Sequence, residues 1–271
     1  MIGVYHGQLA WDLYPPNYYI PMSTVISSVP TAEGFVIGSD GRNSTSDPPT
    51  ILSDDTQKIF SIDRSGMKLA YGLSGTIRIG ETMDKVLFDF EPEIIRSVEK
   101  IGRRTKWLNY LMALTADLEQ SLNGARKASG QTLATEIGAT NISIGGFFER
   151  SQKLGHIRFE HRIQRSEAEP KNYPDGFSFP FGFQEVLDLV NSGDARFSKY
   201  SLPPRIGLTT IAQGVERVRN DILAHYDPEA HTLNETIRWA IGGRVQIATI
   251  TLADGFRWVP GFEPASASPQ K

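Results

Sequence analysis

The chain has 271 residues, a formal net charge of -3, 39% hydrophobic residues and no cysteine. This length and apolar fraction predict one soluble globular domain with a sizeable core, and the slightly acidic balance gives no reason to expect a nucleic-acid partner. The absence of cysteine excludes disulfides and a thiolate nucleophile, and the apolar runs are too short to span a membrane, so we expect a cytoplasmic protein.

Residues 1–22 form an N-terminal extension with several aromatic side chains and no Lys or Arg. We expect neither a signal peptide nor a transit peptide here, because both kinds of leader carry basic residues. The extension either packs on the domain or is a propeptide that is removed, and an internal start at Met22 is a third interpretation. The domain itself is predicted over residues 23–259, and residues 260–271 are predicted to be a disordered tail.

Residues 23–42 predict a β-hairpin with its turn at Thr31–Gly34, because bulky and β-branched residues flank an acid-glycine turn. The first strand starts at Thr24, and the second ends at Asp40 and Arg42. A short turn folds the two strands back on each other, so we expect Asp40 to return close to Thr24. A hydroxyl beside a carboxylate is a common beginning of a nucleophilic catalytic site.

Two strands are predicted next, over Ile51–Ile62 and Met67–Leu73. Lys58 lies inside the first of them, where a buried lysine is costly unless it is paired. Its ammonium either reaches solvent along the strand, or stands next to Thr24 and Asp40 and lowers the proton affinity of the hydroxyl. The register of Thr24 and Asp40 favours the second interpretation.

The segment Gly72-Leu73-Ser74-Gly75-Thr76 is predicted to end the second strand and to open a helical region. A glycine amide at such a turn can point at a developing oxyanion, because no side chain blocks the approach. An ordinary strand-to-helix turn has a similar composition, so both interpretations of this segment stay open.

The rest of the chain alternates between helices and strands. The predicted elements are helices over Glu81–Lys100, interrupted at Pro92, and Thr105–Leu122; strands over Asn141–Glu149 and Ile157–Ile163; a loop over residues 165–180; helices over Phe181–Asn191 and Leu208–Tyr226; and strands over Val245–Leu252 and Phe256–Val259. This order predicts an α+β fold in which two antiparallel sheets stack face to face between two helical layers. His161 is expected to be a hydrogen-bonded core histidine, and no histidine shows metal-ligand spacing, so no metal or cofactor is predicted.

Four features in one order resemble the N-terminal part of proteasome β-type subunits, and in particular their bacterial proteasome-like relatives. These proteins are N-terminal-nucleophile (Ntn) hydrolases. The features are Thr24 at the start of the hairpin, Asp40 and Arg42 at its end, Lys58 in a following strand, and Ser74-Gly75-Thr76. The resemblance implies the four-layer αββα sandwich of that family over most of residues 24–259.

The resemblance also implies a threonine-type peptidase that acts in intracellular protein degradation. Thr24 Oγ1 would attack the scissile carbonyl of a peptide or protein, and its own freed α-amine would act as the base. Lys58 would tune the hydroxyl, Asp40 would hold Lys58, and the Gly75 N–H would hold the oxyanion. Ser23 stands where the family usually has glycine before the nucleophile.

The residues that support the nucleophile's amine in that family are not evident in this sequence. Phe181 falls where a serine is usual, and Ser178 is nearby but off register. Ile241 precedes the late glycine pair where another serine is usual. Asp227 is the nearest acid, and residues 228–240 look like an insertion relative to that family. The candidates for supporting roles are therefore Arg42, Ser74, Ser178 and Asp227.

Three functions fit these observations: a threonine peptidase, a non-catalytic ring subunit of the same fold that keeps its extension, and an Ntn amidase that acts on a small molecule. The resemblance implies self-association into rings and an ATP-driven unfoldase as partner. Neither a membrane nor a nucleic acid is an expected partner.

Overall fold

The computed structural model describes residues 21–22, 24–46, 49–64, 66–82, 85–102, 106–130, 138–174, 179–200 and 207–265. The strands in these ranges are β1 (Pro21–Met22), β2 (Ile26–Pro30), β3 (Phe35–Ser39), β4 (Asn43–Ser46), β5 (Pro49–Ser53), β6 (Ile59–Arg64), β7 (Met67–Thr76), β8 (Arg78–Thr82), β9 (Lys85–Asp89), β10 (Gly138–Phe148), β11 (Ser151–His161), β12 (Ser166–Asn172), β13 (Phe179–Phe181), β14 (Gln246–Thr251) and β15 (Gly255–Trp258). The helices are α1 (Phe90–Ile101), α2 (Trp107–Ser129), α3 (Gln184–Ser192), α4 (Ile211–Ala224), α5 (Pro228–Leu233) and α6 (Thr236–Ala240), with a 3-10 helix over Ala195–Tyr200.

The described strands form two larger sheets and two small ribbons. The first sheet, the β7 sheet, has the order β1-β7-β10-β11-β12, with β6 also paired to β7. The second, the β3 sheet, has the order β13-β2-β3-β14-β15. Neighbouring strands are antiparallel in both sheets, and also in the β4–β5 and β8–β9 ribbons. The predicted combination of antiparallel sheets with helices is therefore confirmed.

Buried apolar side chains form three clusters around these sheets. The first lies between the β7 sheet and the helices α1 and α2, with Tyr71, Ile142, Phe90 and Leu114 among its members. The second lies between the β3 sheet and the later helices, with Val36, Val186, Val218 and Ile237 among its members. The third joins the two sheets and includes Ile37, Ile250, Ala70 and Phe147. Helices therefore contribute to the apolar clusters of both sheets, and residues of the two sheets share the third cluster.

The prediction of a helix from Glu81, kinked at Pro92, was wrong. Residues 78–82 and 85–89 form the two strands of the β8–β9 ribbon, and α1 starts only at Phe90. The Asp89 side chain caps this helix by accepting a hydrogen bond from the Glu91 N–H at 3.1 Å. Pro92 therefore lies in the first turn, where its missing N–H leaves no hydrogen bond unmade and no kink is needed.

Several other predicted boundaries differ from the structure. The strand predicted over Ile51–Ile62 is two strands, β5 and β6, with residues 54–58 outside both, so Lys58 precedes a strand instead of lying inside one. The loop predicted over residues 165–180 contains β12 and the start of β13. Residues 228–240, for which no helix or strand was predicted, contain the short helices α5 and α6. Short amphipathic segments of this kind carry too few residues for their periodicity to separate helix, strand and loop.

Part of the predicted C-terminal tail continues on the domain. The Ile247 N–H donates to the Phe262 carbonyl at 3.0 Å, and the Ala265 N–H donates to Asp55 Oδ2 at 2.9 Å. Residues 266–271 lie outside the described residues, as do residues 1–20 of the predicted extension. None of the helices in the described part of the chain is both long and apolar enough to cross a membrane.

Candidate functional site

The β2–β3 hairpin brings Thr24 and Asp40 to the same end of the β3 sheet. Ile26 pairs with Ser39, and the Asp40 N–H donates to the Val25 carbonyl at 3.3 Å. The turn at the opposite end is closed by Thr31, whose backbone and side chain both bond to Gly34. The tight turn thus fixes a register that returns Asp40 beside the start of β2.

The structure brings Thr24, Asp40 and Lys58 into direct contact. Lys58 Nζ donates to Thr24 Oγ1 at 2.7 Å and to Asp40 Oδ1 at 3.1 Å. Thr24 is 2% exposed, and Asp40 and Lys58 are both 0% exposed. A hydroxyl, an ammonium and a carboxylate therefore share one buried contact, although the three residues lie on separate segments of the chain.

Backbone N–H groups complete the coordination of the Asp40 carboxylate. Oδ1 accepts from the Val25 N–H at 2.9 Å, in addition to Lys58. Oδ2 accepts from the Arg42 N–H at 3.2 Å and from the Gly242 N–H at 3.3 Å. With both oxygens satisfied in this way, the carboxylate has one fixed orientation towards Lys58.

Burial shifts the proton affinities of this ion pair. It lowers the pKa of the Lys58 ammonium, against the opposing charge of Asp40. It raises the pKa of the Asp40 carboxyl, against the charge of Lys58 and the backbone hydrogen bonds. The charge of Asp40 and its hydrogen bond therefore act to keep the proton on the buried Lys58.

Arg42 connects this site to the loop that follows α6. Its guanidinium contacts the Asp54 carboxylate at 2.6 and 3.2 Å, and it donates to the carbonyls of Arg238 and Ile241. A Cβ atom on Gly242 would lie 2.5 Å from Arg42 Cζ, so the guanidinium can pack there only against a glycine. Arg42 thereby holds the loop whose Gly242 N–H reaches Asp40. Sequence reasoning noted the glycine pair at 242–243 but not this donor.

Gly75 and Ser74 lie in β7, beside the strand that leads into the site. Gly75 has φ +80°, and a Cβ there would lie 2.0 Å from the Ala139 carbonyl, so this position requires glycine. Met22, two residues before Thr24, is the backbone partner of Gly75 on one side, and Thr140 is the partner on the other. Gly75 does not open a helix as predicted, since the β8–β9 ribbon follows β7.

The remaining supporting candidates are Asp227, whose contacts lie at the start of α5, and Ser178, which is not described. Asp227 caps α5 by accepting from the Glu229 N–H, and its carboxylate contacts Lys199 at 2.7 Å and the Tyr200 hydroxyl at 2.9 Å. These contacts give Asp227 a structural role at the start of α5. Ser178 lies outside the described residues, and so does Ser23.

Asp40→Asn is expected to lower the free energy of unfolding by about 3–5 kcal/mol, because it leaves the Lys58 ammonium buried without its counter-ion. The new amide NH2 would also point at N–H donors, whichever way it is turned. Urea unfolding monitored by circular dichroism measures this loss. Asp254→Asn, which breaks an exposed ion pair with Arg257, is the control, and its expected cost is about 0.5 kcal/mol. Equal losses in the two variants would contradict the prediction.

Comparison with known proteins gives little beyond this geometry. No protein-family model matches the chain. No curated protein matches it either. Among solved structures, it is similar to one titled "Anbu (Gly-1) mutant from Hyphomicrobium sp. strain MC1", with 10% sequence identity and a TM-score of 0.48 over 91% of this chain and 89% of that chain. This likeness does not assign the chain to a family or to an activity.

Proposed function

We propose that this protein is a threonine-type Ntn hydrolase that cleaves amide bonds in peptides or proteins, with Thr24 as its nucleophile. The observation that carries the proposal is the buried contact of 2.7 Å between Lys58 Nζ and Thr24 Oγ1, with Asp40 3.1 Å from the same ammonium. Removing a lysine and a carboxylate from water is costly, and a threonine with a purely structural role needs neither of them. A hydroxyl nucleophile needs both an activating group and a group that orients it.

The reaction follows from the roles that these groups can perform. Thr24 Oγ1 attacks the amide carbonyl carbon, and the freed α-amine of Thr24 takes the hydroxyl proton. The amine then passes that proton to the leaving nitrogen as the C–N bond breaks, which leaves an ester on Thr24. Water hydrolyses the ester and regenerates the hydroxyl. The Lys58 ammonium stabilises the charge that develops on Oγ1, Asp40 orients the ammonium, and the Gly75 N–H is the candidate donor to the oxyanion.

The position of β1 supports removal of the extension as part of this proposal. Pro21 and Met22 pair with Thr76 and Gly75, so the uncleaved chain occupies the edge of β7 beside the candidate oxyanion donor. Cleavage after Ser23 would supply the α-amine of Thr24 and would let this short strand leave β7. An internal start at Met22 would instead leave Ser23 in front of the nucleophile.

The wider family properties belong to the same proposal. The three apolar clusters support a four-layer αββα sandwich, because helices contribute to the clusters of both sheets and residues of the two sheets share the third. Self-association into rings, an ATP-driven unfoldase partner, a role in protein degradation and a cytoplasmic location rest on the sequence resemblance. A sedimentation measurement of mass in solution separates a ring from the monomer or dimer compatible with a small-molecule amidase.

The mature native protein is expected to begin at Thr24 and to be acylated there by a peptidyl β-lactone, whose strained ester opens when Oγ1 attacks its carbonyl. N-terminal sequencing and intact-mass spectrometry with peptide mapping measure the two results. Thr24→Ala is expected to remove the adduct, whereas Thr24→Ser retains a hydroxyl and is expected to keep it. An intact Met1 together with no adduct on Thr24 would contradict the proposal and favour the non-catalytic ring subunit.

A further inference from the structure

Gln246 lies at the junction of the β3 sheet with the segment that carries Lys58. It is the first residue of β14, its backbone pairs with Ser39 in β3, and its side chain is 0% exposed. The side-chain oxygen accepts from the Lys58 N–H at 3.3 Å, and the side-chain nitrogen donates to the Thr56 carbonyl at 2.9 Å. One amide thus bonds to the backbone on both sides of Gln57.

The segment that Gln246 holds has no strand of its own. Residues 54–58 lie between β5 and β6 and outside both strands. The Lys58 carbonyl accepts from the Leu73 N–H in the β7 sheet at 3.0 Å, while its N–H donates to Gln246 in the β3 sheet. The backbone of Lys58 therefore lies between the two sheets and forms one hydrogen bond with each of them.

The position of the Lys58 ammonium depends on these two backbone hydrogen bonds. A lysine side chain has four rotatable bonds and adopts many conformations unless its backbone and its head group are both fixed. The head group of Lys58 is fixed by Thr24, shortly before β2, and by Asp40, directly after β3, so both partners flank strands of the sheet that contains Gln246. Gln246 therefore sets the distance between the lysine's backbone and the sheet that carries its partners.

We propose that Gln246 is the positioning residue of the site: its amide holds the 56–58 backbone so that Lys58 Nζ meets Thr24 Oγ1. This inference rests on the proposed function, because it assigns Gln246 a part in activating the Thr24 hydroxyl. Gln246 sets the location of Lys58 whether or not the protein is a hydrolase. Gln246 does not touch the hydroxyl itself, so it acts through Lys58.

Gln246→Met tests the proposal, because methionine is similar in length but cannot form either hydrogen bond. The peptidyl β-lactone is expected to acylate Thr24 about 10- to 100-fold more slowly in this variant, since small displacements of a catalytic group have effects of this size. Gln152→Met is the matched control. Gln152 also bonds to the backbone through its side-chain amide, whose nitrogen donates to the carbonyls of Thr31 and Gly34, but at the opposite end of the β2–β3 hairpin. Its expected change in acylation rate is less than about twofold.

A second readout separates positioning from a general loss of stability. An ammonium beside the Thr24 amine disfavours protonation of that amine, so displacement of Lys58 is expected to move the pH of half-maximal acylation upward in Gln246→Met. The charged groups around this ammonium are Asp40 and Arg42, and neither is changed by the substitution. Gln152→Met is expected to leave the midpoint where it is. A Gln246→Met protein with the wild-type rate and midpoint overturns the inference.

A third readout does not depend on activity. In protein labelled with ¹³C-lysine, the Lys58 side-chain signal is assigned by its absence from the Lys58→Met spectrum, and its titration is followed by NMR. Gln246→Met is expected to move this titration towards that of exposed lysines, and an unchanged titration overturns the inference. If the wild-type protein is not acylated, the proposed function fails while this titration still decides the role of Gln246. Gln246→Asn, which is one methylene too short to bridge the same groups, replaces the methionine variant if that variant does not fold.

Discussion

Replacing Lys58 with methionine is expected to slow the acylation of Thr24 by the β-lactone at least about 100-fold. The substitution keeps the length of the side chain but removes the ammonium that lies 2.7 Å from Thr24 Oγ1. Groups that assist a nucleophile by proton transfer or by charge contribute factors of about 10²–10⁴ to the rate. The pseudo-first-order rate of adduct formation, followed by intact-mass spectrometry, measures the effect.

Lys68→Met is the matched control for this substitution. Lys68 lies in β7 and donates to the carbonyls of Leu252 and Ala253, at the end of that strand far from Gly75. Its loss removes a lysine that bonds across the two sheets without touching Thr24, so the acylation rate is expected to stay within about twofold of wild type. If Lys58→Met remains folded and reacts at the wild-type rate, Lys58 has no role in activating the hydroxyl.

The free energy of unfolding is expected to fall by several kcal/mol between pH 6.5 and pH 4, because three histidines are buried in their neutral form. Burial lowers the pKa of His156, His161 and His225 to about 4 in each case. Above pH 6.5 both the folded and the unfolded state leave these rings neutral. Between pH 6.5 and pH 4 only the unfolded chain takes up the protons, so stability rises with pH and is lost on acidification. Each ring contributes up to about 3 kcal/mol to this loss.

His225 shows why protonation is resisted. Its Nδ1–H donates to the Asp221 carbonyl at 2.8 Å, which leaves Nε2 to accept from the Phe183 N–H at 3.2 Å. A proton on Nε2 would face that N–H donor in a fully buried position, so the folded state must break this contact before the ring can become charged.

Urea unfolding at pH 7.5, 5.5 and 4.5 measures the pH dependence. His161→Gln is expected to reduce the proton uptake on unfolding by nearly one, whereas His231→Gln, at a partly exposed ring whose pKa burial lowers less, is expected to reduce it by less. Asp227, whose pKa is lowered, loses its contribution mainly as the pH falls below the ordinary value of 3.8, so it accounts for little of a loss above pH 4. Stability that is constant from pH 7.5 to pH 4.5 would contradict the prediction.

Local sequence signals were sufficient to predict the elements whose contacts form between residues close together in the chain. The β2–β3 hairpin was predictable because its apolar strands and its turn lie within twenty consecutive residues, and α4 was predictable because its apolar face repeats over almost four turns. The order Thr24, Asp40, Lys58 indicated which side chains to examine. Around Glu81, however, the segment is too short for its apolar pattern to separate a helix from a ribbon, and packing beside α1 and α2 selects the ribbon.

The sequence by itself determined the residue types of the site, the hairpin that joins Thr24 to Asp40, and the alternation of strands and helices. Only the tertiary structure decided that Lys58 reaches Thr24 from outside a strand, that the Gly242 N–H bonds to Asp40 across 202 positions, and that Gln246 holds the Lys58 backbone across 188. Such contacts leave no periodic trace in the chain, because backbone N–H and carbonyl groups are the same for nearly every residue type. Their positions depend on how the two sheets pack, which is a property of the whole core and not of any one segment.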